Sequence, residues 1–311
     1  MLIEPGNAQE VPVKGFLVLS RLPFLSPGLA SLVASVCIAL SQGYDPEWGL
    51  VGISFIGLAF IMLATYYFNE YFDFEGDAIN RTFIKLSGGS RALIEKNVPR
   101  RIARIAGWSS VVILTVIAFA YLLLYFEDYP LLLPLALFGA FCGVFYSHPP
   151  FQWAYQGIGE VMIGGCYGVL TFVSGFYLTS GVFDLNMVVI ALPASLTIFC
   201  VIVANEFPDH DADKAVNKRN LVVRLGLRRG AQLYAVAMGL TYPFMLASWA
   251  VGISPWIAVI GLPVLLLCAY AINVAMKGGY AIREQQMRIS SATLVANLLS
   301  SLLFIPVVLV W

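Results

Sequence analysis

Nine apolar stretches constrain this chain more than any other feature: residues 16–40, 50–68, 105–126, 131–146, 158–178, 187–204, 231–251, 255–275 and 289–310. Each qualifies or nearly qualifies as the run of about 20 apolar residues that a helix needs to cross a bilayer. The runs are continuous and lack the alternation of barrel strands, so they read as helices. Only 12% of residues are charged and the mean hydropathy is +0.82, where a soluble domain carries roughly 25% charged residues. The expected fold is therefore all-α: a polytopic membrane bundle of nine transmembrane helices forming a single domain over residues 1–311. The first span is interrupted by Arg21, Pro23 and Pro27, and the fourth is short. Glu4 and Glu10 precede the first lysine, which does not suit the basic front of a cleaved signal peptide, so the first segment is expected to remain as a span.

Nine spans sort the connections into two sets, and the basic residues fall in one of them. The 72–104 loop holds Arg81, Lys85, Arg91, Lys96, Arg100, Arg101 and Arg104; the 205–230 loop holds Lys214, Lys218, Arg219, Arg224, Arg228 and Arg229. Lys277, Arg283 and Arg288 follow in the 276–288 loop, with Lys14 and Arg21 at the N-terminal end. The opposite connections show Asp45, Glu47, Glu127, Asp128 and Asp184 and no basic residue. By the positive-inside rule the N-terminus and the two large loops are expected in the cytoplasm and the C-terminus outside. The net charge of zero by itself says little about partners; the expected surroundings are membrane lipid, with no nucleic-acid partner expected. Cys37, Cys142, Cys166, Cys200 and Cys268 form no CxxC pair and read as packing residues.

Within this frame one motif occurs twice. Asn69-Glu-Tyr-Phe-Asp73-Phe-Glu-Gly-Asp77 and Asn205-Glu-Phe-Pro-Asp209-His-Asp-Ala-Asp213 lie 136 residues apart and match at Asn, Glu, Asp and Asp. Four spans separate them, and an even number returns the chain to the same membrane face, so the expected organisation is two parallel pseudo-repeats. A helix running on through each motif aligns Asn69, Asp73 and Asp77 on one stripe and Asn205, Asp209 and Asp213 on another, about 6 Å apart per step. Pro208 is expected to kink or reposition the second. One such motif alone reads most simply as a solvated helix face. Two copies with the same spacing on the same membrane side, each followed by a basic loop, do not.

Carboxylates gathered near a bilayer need compensation, because a charge there costs about 2.5–3.5 kcal/mol at the midplane. Carboxylate and amide oxygens suit a hard cation, and Mg²⁺ binds through one or two carboxylates together with substrate phosphates. The candidate metal-binding residues are thus Asn69, Asp73, Asp77, Asn205, Asp209 and Asp213, with the four aspartates as the catalytic candidates. Arg81, Lys85 and the Ser87-Gly-Gly-Ser90-Arg91 turn after the first motif, and Lys214, Lys218 and Arg219 after the second, are candidates to neutralise a diphosphate. Arg21, a charge inside the first span, either snorkels to the interface or binds diphosphate or acceptor. His148 and His210 are lone histidines and carry no assigned role.

On these residues the chain resembles the UbiA superfamily of intramembrane prenyltransferases, whose paired NxxxDxxxD-type motifs follow the second and sixth of nine spans. The menaquinone branch is the most similar: the Ser87-Gly-Gly-Ser90-Arg91 stretch, Gly157-Ile-Gly-Glu160 and Lys218-Arg-Asn-Leu resemble its segments, although Asn217 and Asn220 stand where that branch has glycine and threonine. Asp77-Ala-Ile-Asn80 is similar to the chlorophyll-synthase branch. The resemblance implies Mg²⁺-dependent transfer from a polyprenyl diphosphate to an aromatic acceptor, 1,4-dihydroxy-2-naphthoate with decarboxylation in the menaquinone branch. It also implies that Tyr146 and Ser147 face the substrate cavity. Other acceptors (4-hydroxybenzoate, homogentisate, chlorophyllide) stay open. Two other classes compete with this reading. A cation transporter could carry its ion on intramembrane carboxylates, but the parallel placement of the motifs and the basic loops beside them argue against it. A CDP-alcohol phosphotransferase requires a single longer motif that is absent.

Overall fold

The structure is a computed structural model that describes residues 13–309; Glu4, Glu10 and both chain ends lie outside the described residues. Eight helices are long and apolar enough to span a bilayer: α1 Val13–Ser41, α2 Trp48–Phe72, α3 Arg100–Leu124, then after a shorter one α5 Gly159–Ser180, α6 Asn186–Ala215, α7 Leu227–Val251, α8 Ile257–Met276 and α9 Arg283–Leu309. The shorter apolar helix, Leu132–Phe145, is α4. Among the described residues, the nine segments expected from hydropathy thus correspond to these eight long helices and the one shorter apolar helix.

Several helices are broken where the sequence disfavours regular geometry. α1 changes course at Arg21, whose backbone is left-handed (φ 47°), and passes through a 3₁₀ turn at Leu22–Leu25 before resuming at Ser26. Pro23, without an N–H to give, sits at the start of that turn. In α5 the run Gly165–Leu170 widens into a π-helical turn. There α5 presses on α6: the Ser195 hydroxyl accepts from the Val169 amide at 3.2 Å, and a Cβ on Gly168 would collide with Ser195. Such π turns often mark functional positions, and this one carries Tyr167, a residue of the site described below.

α6 is the buried axis of the bundle and packs against α5, α7 and α9. Because lipid offers no hydrophobic drive for helices to associate, small residues and interhelical hydrogen bonds hold them together. Asn297 of α9 donates to Thr197 Oγ1 at 3.0 Å and to the Ala194 carbonyl at 3.1 Å, and Thr197 bonds Ser300 at 2.9 Å. Tyr234 of α7 bonds Thr293 of α9 at 2.6 Å. α3 lies at the opposite extreme, with Val112, Val116, Phe119 and Leu123 exposed along one stripe at helical spacing, a lipid-facing surface. α2 and α6 both deliver their acidic motifs to the basic end of the bundle, where the three basic connections also gather.

Candidate active site

α2 ends at Phe72, and Asp73 is its cap (φ −81°, ψ −1°), followed by a short helix over Phe74–Ile79. A single uninterrupted helix through the first motif was the expectation; the chain instead turns at Asp73. The spacing survives the break, because the Asp73 amide still bonds the Asn69 carbonyl at 2.8 Å and the Asp77 amide the Asp73 carbonyl at 2.9 Å. The second motif lies wholly within α6, which continues through Pro208 to Ala215. Thr82, from the loop after the first motif, donates its hydroxyl to the Pro208 carbonyl.

Around a polar cavity of about 150 Å³ stand Asn69, Asp73 and Asp77 from the first motif and Asn205, Asp209 and Asp213 from the second, with Arg21, Lys218, Ser87, Gly88 and Gly89. Asp73, Asp209 and Asp213 are oriented by donors, and the donors cross between the repeats. Asp209 accepts Asn80 Nδ2 at 2.7 Å and the Gly88 amide at 3.0 Å, both from the loop after the first motif. Asp73 accepts Lys218 Nζ at 2.7 Å, from the loop after the second, and the Tyr155 hydroxyl at 2.7 Å. Lys218 also lies 3.5 Å from Asp213, which receives Asn220 Nδ2 at 2.7 Å. Asn69 donates to Asp73 at 2.8 Å and to Ser147 at 3.1 Å.

Beyond the spans, charge and burial have visible effects on proton affinity. Burial, then the neighbouring Asp73 and Glu70 carboxylates, push the Asp77 carboxyl well above its usual range. For Lys218 burial acts downward, but Asp213 and Asp73 outweigh it and hold the ammonium well above the ordinary lysine range. Burial, with Asp73 beside it, also raises the Tyr155 phenol. Lys218 thus joins the two motifs, 2.7 Å from Asp73 and 3.5 Å from Asp213.

The structure divides the candidate substrate-binding residues. Arg21, Lys218 and Tyr146 line the polar cavity, and Ser147 supports Asn69. Ser90 donates to Glu70 from its amide and, at 2.7 Å, from its hydroxyl; Arg91 bonds the Asp77 carbonyl and stacks 4.2 Å from the Phe83 ring centroid. Both therefore brace the first motif. Arg81, Lys85, Lys214 and Arg219 are exposed and do not line the cavity. Their presence in basic loops was the only sequence signal for them, and orientation in the membrane accounts for that signal.

Tyr155, Asn80 and Asn220 emerge as orienting donors only in three dimensions. Glu70, 3% exposed, faces Arg21 at 3.5 Å. Glu70 and Glu206 are the shared second residues of the two motifs, so the duplication itself marked them. His148 packs its ring among Phe68, Phe72, Trp108 and Phe145, and His210 pairs with exposed Asp211.

An apolar cavity of about 610 Å³ adjoins the polar one, lined by α2, α3, α4 and α5. Thr65, Tyr146, Ile163 and Tyr167 line both cavities, and Tyr66, bonded to Tyr167 at 3.2 Å, stands beside them.

The oxygen-rich donor set fits a hard divalent ion. Among the described residues Asn205 Oδ1 is buried without a hydrogen-bond partner beside the cavity its residue lines, which suits a ligand oxygen. Among the described residues no three His, Cys, Asp or Glu side chains already form a cluster.

A helical bundle with two acidic motifs converging on one charged chamber, itself backed by an apolar cavity, defines an integral membrane protein. The chain belongs to the UbiA prenyltransferase family, which matches residues 29–310. It is similar to a 1,4-dihydroxy-2-naphthoate octaprenyltransferase of Bacillus subtilis, 24% identical over 66% of this chain and 64% of that one. It is also similar to a 2-carboxy-1,4-naphthoquinone phytyltransferase of Arabidopsis thaliana, 31% identical over 43% of this chain and 35% of that one. The matches span less than two thirds of either relative's length. A solved UbiA homologue from Archaeoglobus fulgidus bound to GPP and Mg²⁺ shares the fold with a TM-score of 0.60 at 15% identity, covering 94% of this chain and 100% of that one.

Proposed function

We propose that this protein transfers a polyprenyl group from its diphosphate to an aromatic acceptor, 1,4-dihydroxy-2-naphthoate. The observation that carries the reading is the junction of the charged chamber with the apolar cavity of about 610 Å³, a shape matched to a ligand with an anionic head and a long hydrocarbon tail. The acceptor rests on the naphthoate-prenylating relatives and on the segments at Ser87–Arg91 and Gly157–Glu160.

Asn69, Asp73, Asp77, Asn205, Asp209 and Asp213 are the residues to hold Mg²⁺, which when bound supplies the positive charge that neutralises a departing diphosphate. Tyr155, Asn80, Asn220 and the Gly88 amide fix which carboxylate oxygens face the chamber, as outer partners do for metal ligands generally. Lys218, and Arg21 at the chamber's edge, are the protein's own cations for the phosphate oxygens. The allylic carbon–oxygen bond breaks with its electron pair going to the diphosphate, and a ring carbon of the acceptor forms the new bond to the prenyl carbon. With dihydroxynaphthoate the acceptor's carboxylate then leaves as CO₂, and its bonding electrons restore the ring. The apolar walls keep water from the cationic prenyl group, and the rings of Tyr66, Tyr146 and Tyr167 at the junction offer it their π faces. By the positive-inside rule the chamber opens to the cytoplasm.

The test is a panel assay: purified protein with a prenyl diphosphate, Mg²⁺ and, separately, dihydroxynaphthoate, 4-hydroxybenzoate, homogentisate or chlorophyllide. A decarboxylated prenyl-naphthoquinol product from the first acceptor is expected. Product from 4-hydroxybenzoate alone would overturn the acceptor, and none from any acceptor would overturn the activity.

A further inference from the structure

Two segments far apart in sequence, Gly157–Glu160 and Lys218–Leu225, meet in the structure as one latch. The Arg219 amide bonds the Tyr155 carbonyl at 3.2 Å, and the Leu221 amide bonds Glu160 Oε1 at 2.7 Å. The Val222 amide bonds Glu206 Oε2 at 3.3 Å. Gly157 has φ +71°, and a Cβ there would press on the Arg224 side chain at 2.9 Å. Arg224 itself closes back on the Arg219 carbonyl at 2.7 Å. The strap so anchored carries both Lys218 and Asn220, which contact Asp73 and Asp213.

Glu160 is 1% exposed and Glu206 is 7% exposed. Glu160 touches neither cavity. Its second oxygen, Oε2, has no hydrogen-bond partner among the described residues, and the Glu206 carboxyl neighbours the Glu160 side chain. A buried carboxyl group left without a hydrogen-bond partner is costly, so such groups take up donors. Here they grip successive backbone amides, Leu221 and Val222, at the base of the strap.

We propose that Glu160, paired with Glu206, is a positioning residue: it fixes the Lys218–Asn220 strap so that Lys218 bridges the two motifs. It acts through Lys218 and not on the substrate. A neutral amide at position 160 can still accept from the Leu221 amide and can donate to Glu206, so Glu160→Gln preserves the latch while Glu160→Ala leaves a buried amide unpaired.

The kinetic arm of the test rests on the prenyl-transfer reading; a hydrogen-exchange arm does not. In Glu160→Ala, amide exchange across residues 218–225 should quicken by about tenfold or more and turnover should fall by about tenfold or more, as expected for an orphaned buried donor. Glu160→Gln should stay within about threefold of wild type on both readouts. In a Lys218→Met background Glu160→Ala should add no further loss to the residual turnover, because the two act as a unit. Unchanged exchange in Glu160→Ala, or a full multiplicative loss on top of Lys218→Met, overturns the proposal. If Glu160→Ala does not fold, Glu160→Gln decides: wild-type exchange with turnover lost shows a chemical role for the carboxyl and overturns it. Wild-type protein that makes no prenylated product defeats the prenyl-transfer reading instead, and the exchange arm still judges the latch.

Discussion

The two acidic motifs carry the same four side chains and hold them in different ways. The first breaks at Asp73, so that Asp77 rides on a separate short helix; the second stays within α6 through Pro208 to Ala215. Each motif's Glu ties down the loop that follows it, Glu70 by the Ser90 amide and hydroxyl and Glu206 by the Val222 amide. The partners of those glutamates differ: a cation, Arg21, beside Glu70, and a carboxyl, Glu160, beside Glu206. Donors also cross over, from the first loop to Asp209 and from the second loop to Asp73. Duplication therefore built one chamber from two halves that complete each other.

If the halves are equivalent, Asp73→Ala and Asp209→Ala should each lower prenyl transfer by about a thousandfold, the scale of losing a main electrostatic element of a site. A rate close to wild type in one of them, measured at saturating Mg²⁺, would break the equivalence. Lys218→Met should come next. It strands two buried carboxylates, a change that costs about 3–5 kcal/mol when a buried pair loses a partner. Thermal unfolding in chelator should show this loss, and added Mg²⁺ should recover part of it.

Smaller effects distinguish the halves. Gly89 has φ +68°, and a Cβ there would collide with Asp77 Oδ2. Gly89→Ala should thus destabilise by about 1–3 kcal/mol and weaken Mg²⁺ binding through the first motif alone. The raised Asp77 proton affinity gives a pH signature. A carboxyl raised in the folded state contributes stability that is present below its unfolded value and is lost as pH climbs through the folded one. Metal-free protein should therefore lose thermal stability as pH rises above the ordinary carboxylate range, and Mg²⁺, replacing the proton, should flatten that slope. Least affected should be Arg81→Ala and Lys85→Ala, at exposed positions outside the chamber, with stability changes within about 0.5 kcal/mol and little change in turnover.

The spans and their parity were legible in the chain because lipid enforces long apolar runs and segregates basic loops. The aspartates were legible because the motif recurs at one spacing. The break at Asp73 was not, since nothing local forbids helix there. Asn80, Tyr155 and Asn220 owe their roles to partners up to 129 residues away, as in the bond from Asn80 to Asp209. Loop charge could not separate Lys218, inside the chamber, from Lys214, outside it, four residues apart on the same strand of basic sequence. Lys214 lies in the last turn of α6, whereas Lys218 follows the helix on the strap bonded to Glu160 and Tyr155.

The central claim, that both motifs form one site, is tested most directly by a double-mutant cycle on Mg²⁺-dependent binding of a prenyl diphosphate. Asp73→Asn, Asp209→Asn and the double variant would be compared with wild type. One shared site predicts that the double variant binds no more weakly than the weaker single variant. Losses that multiply independently would show two separate sites and contradict the account.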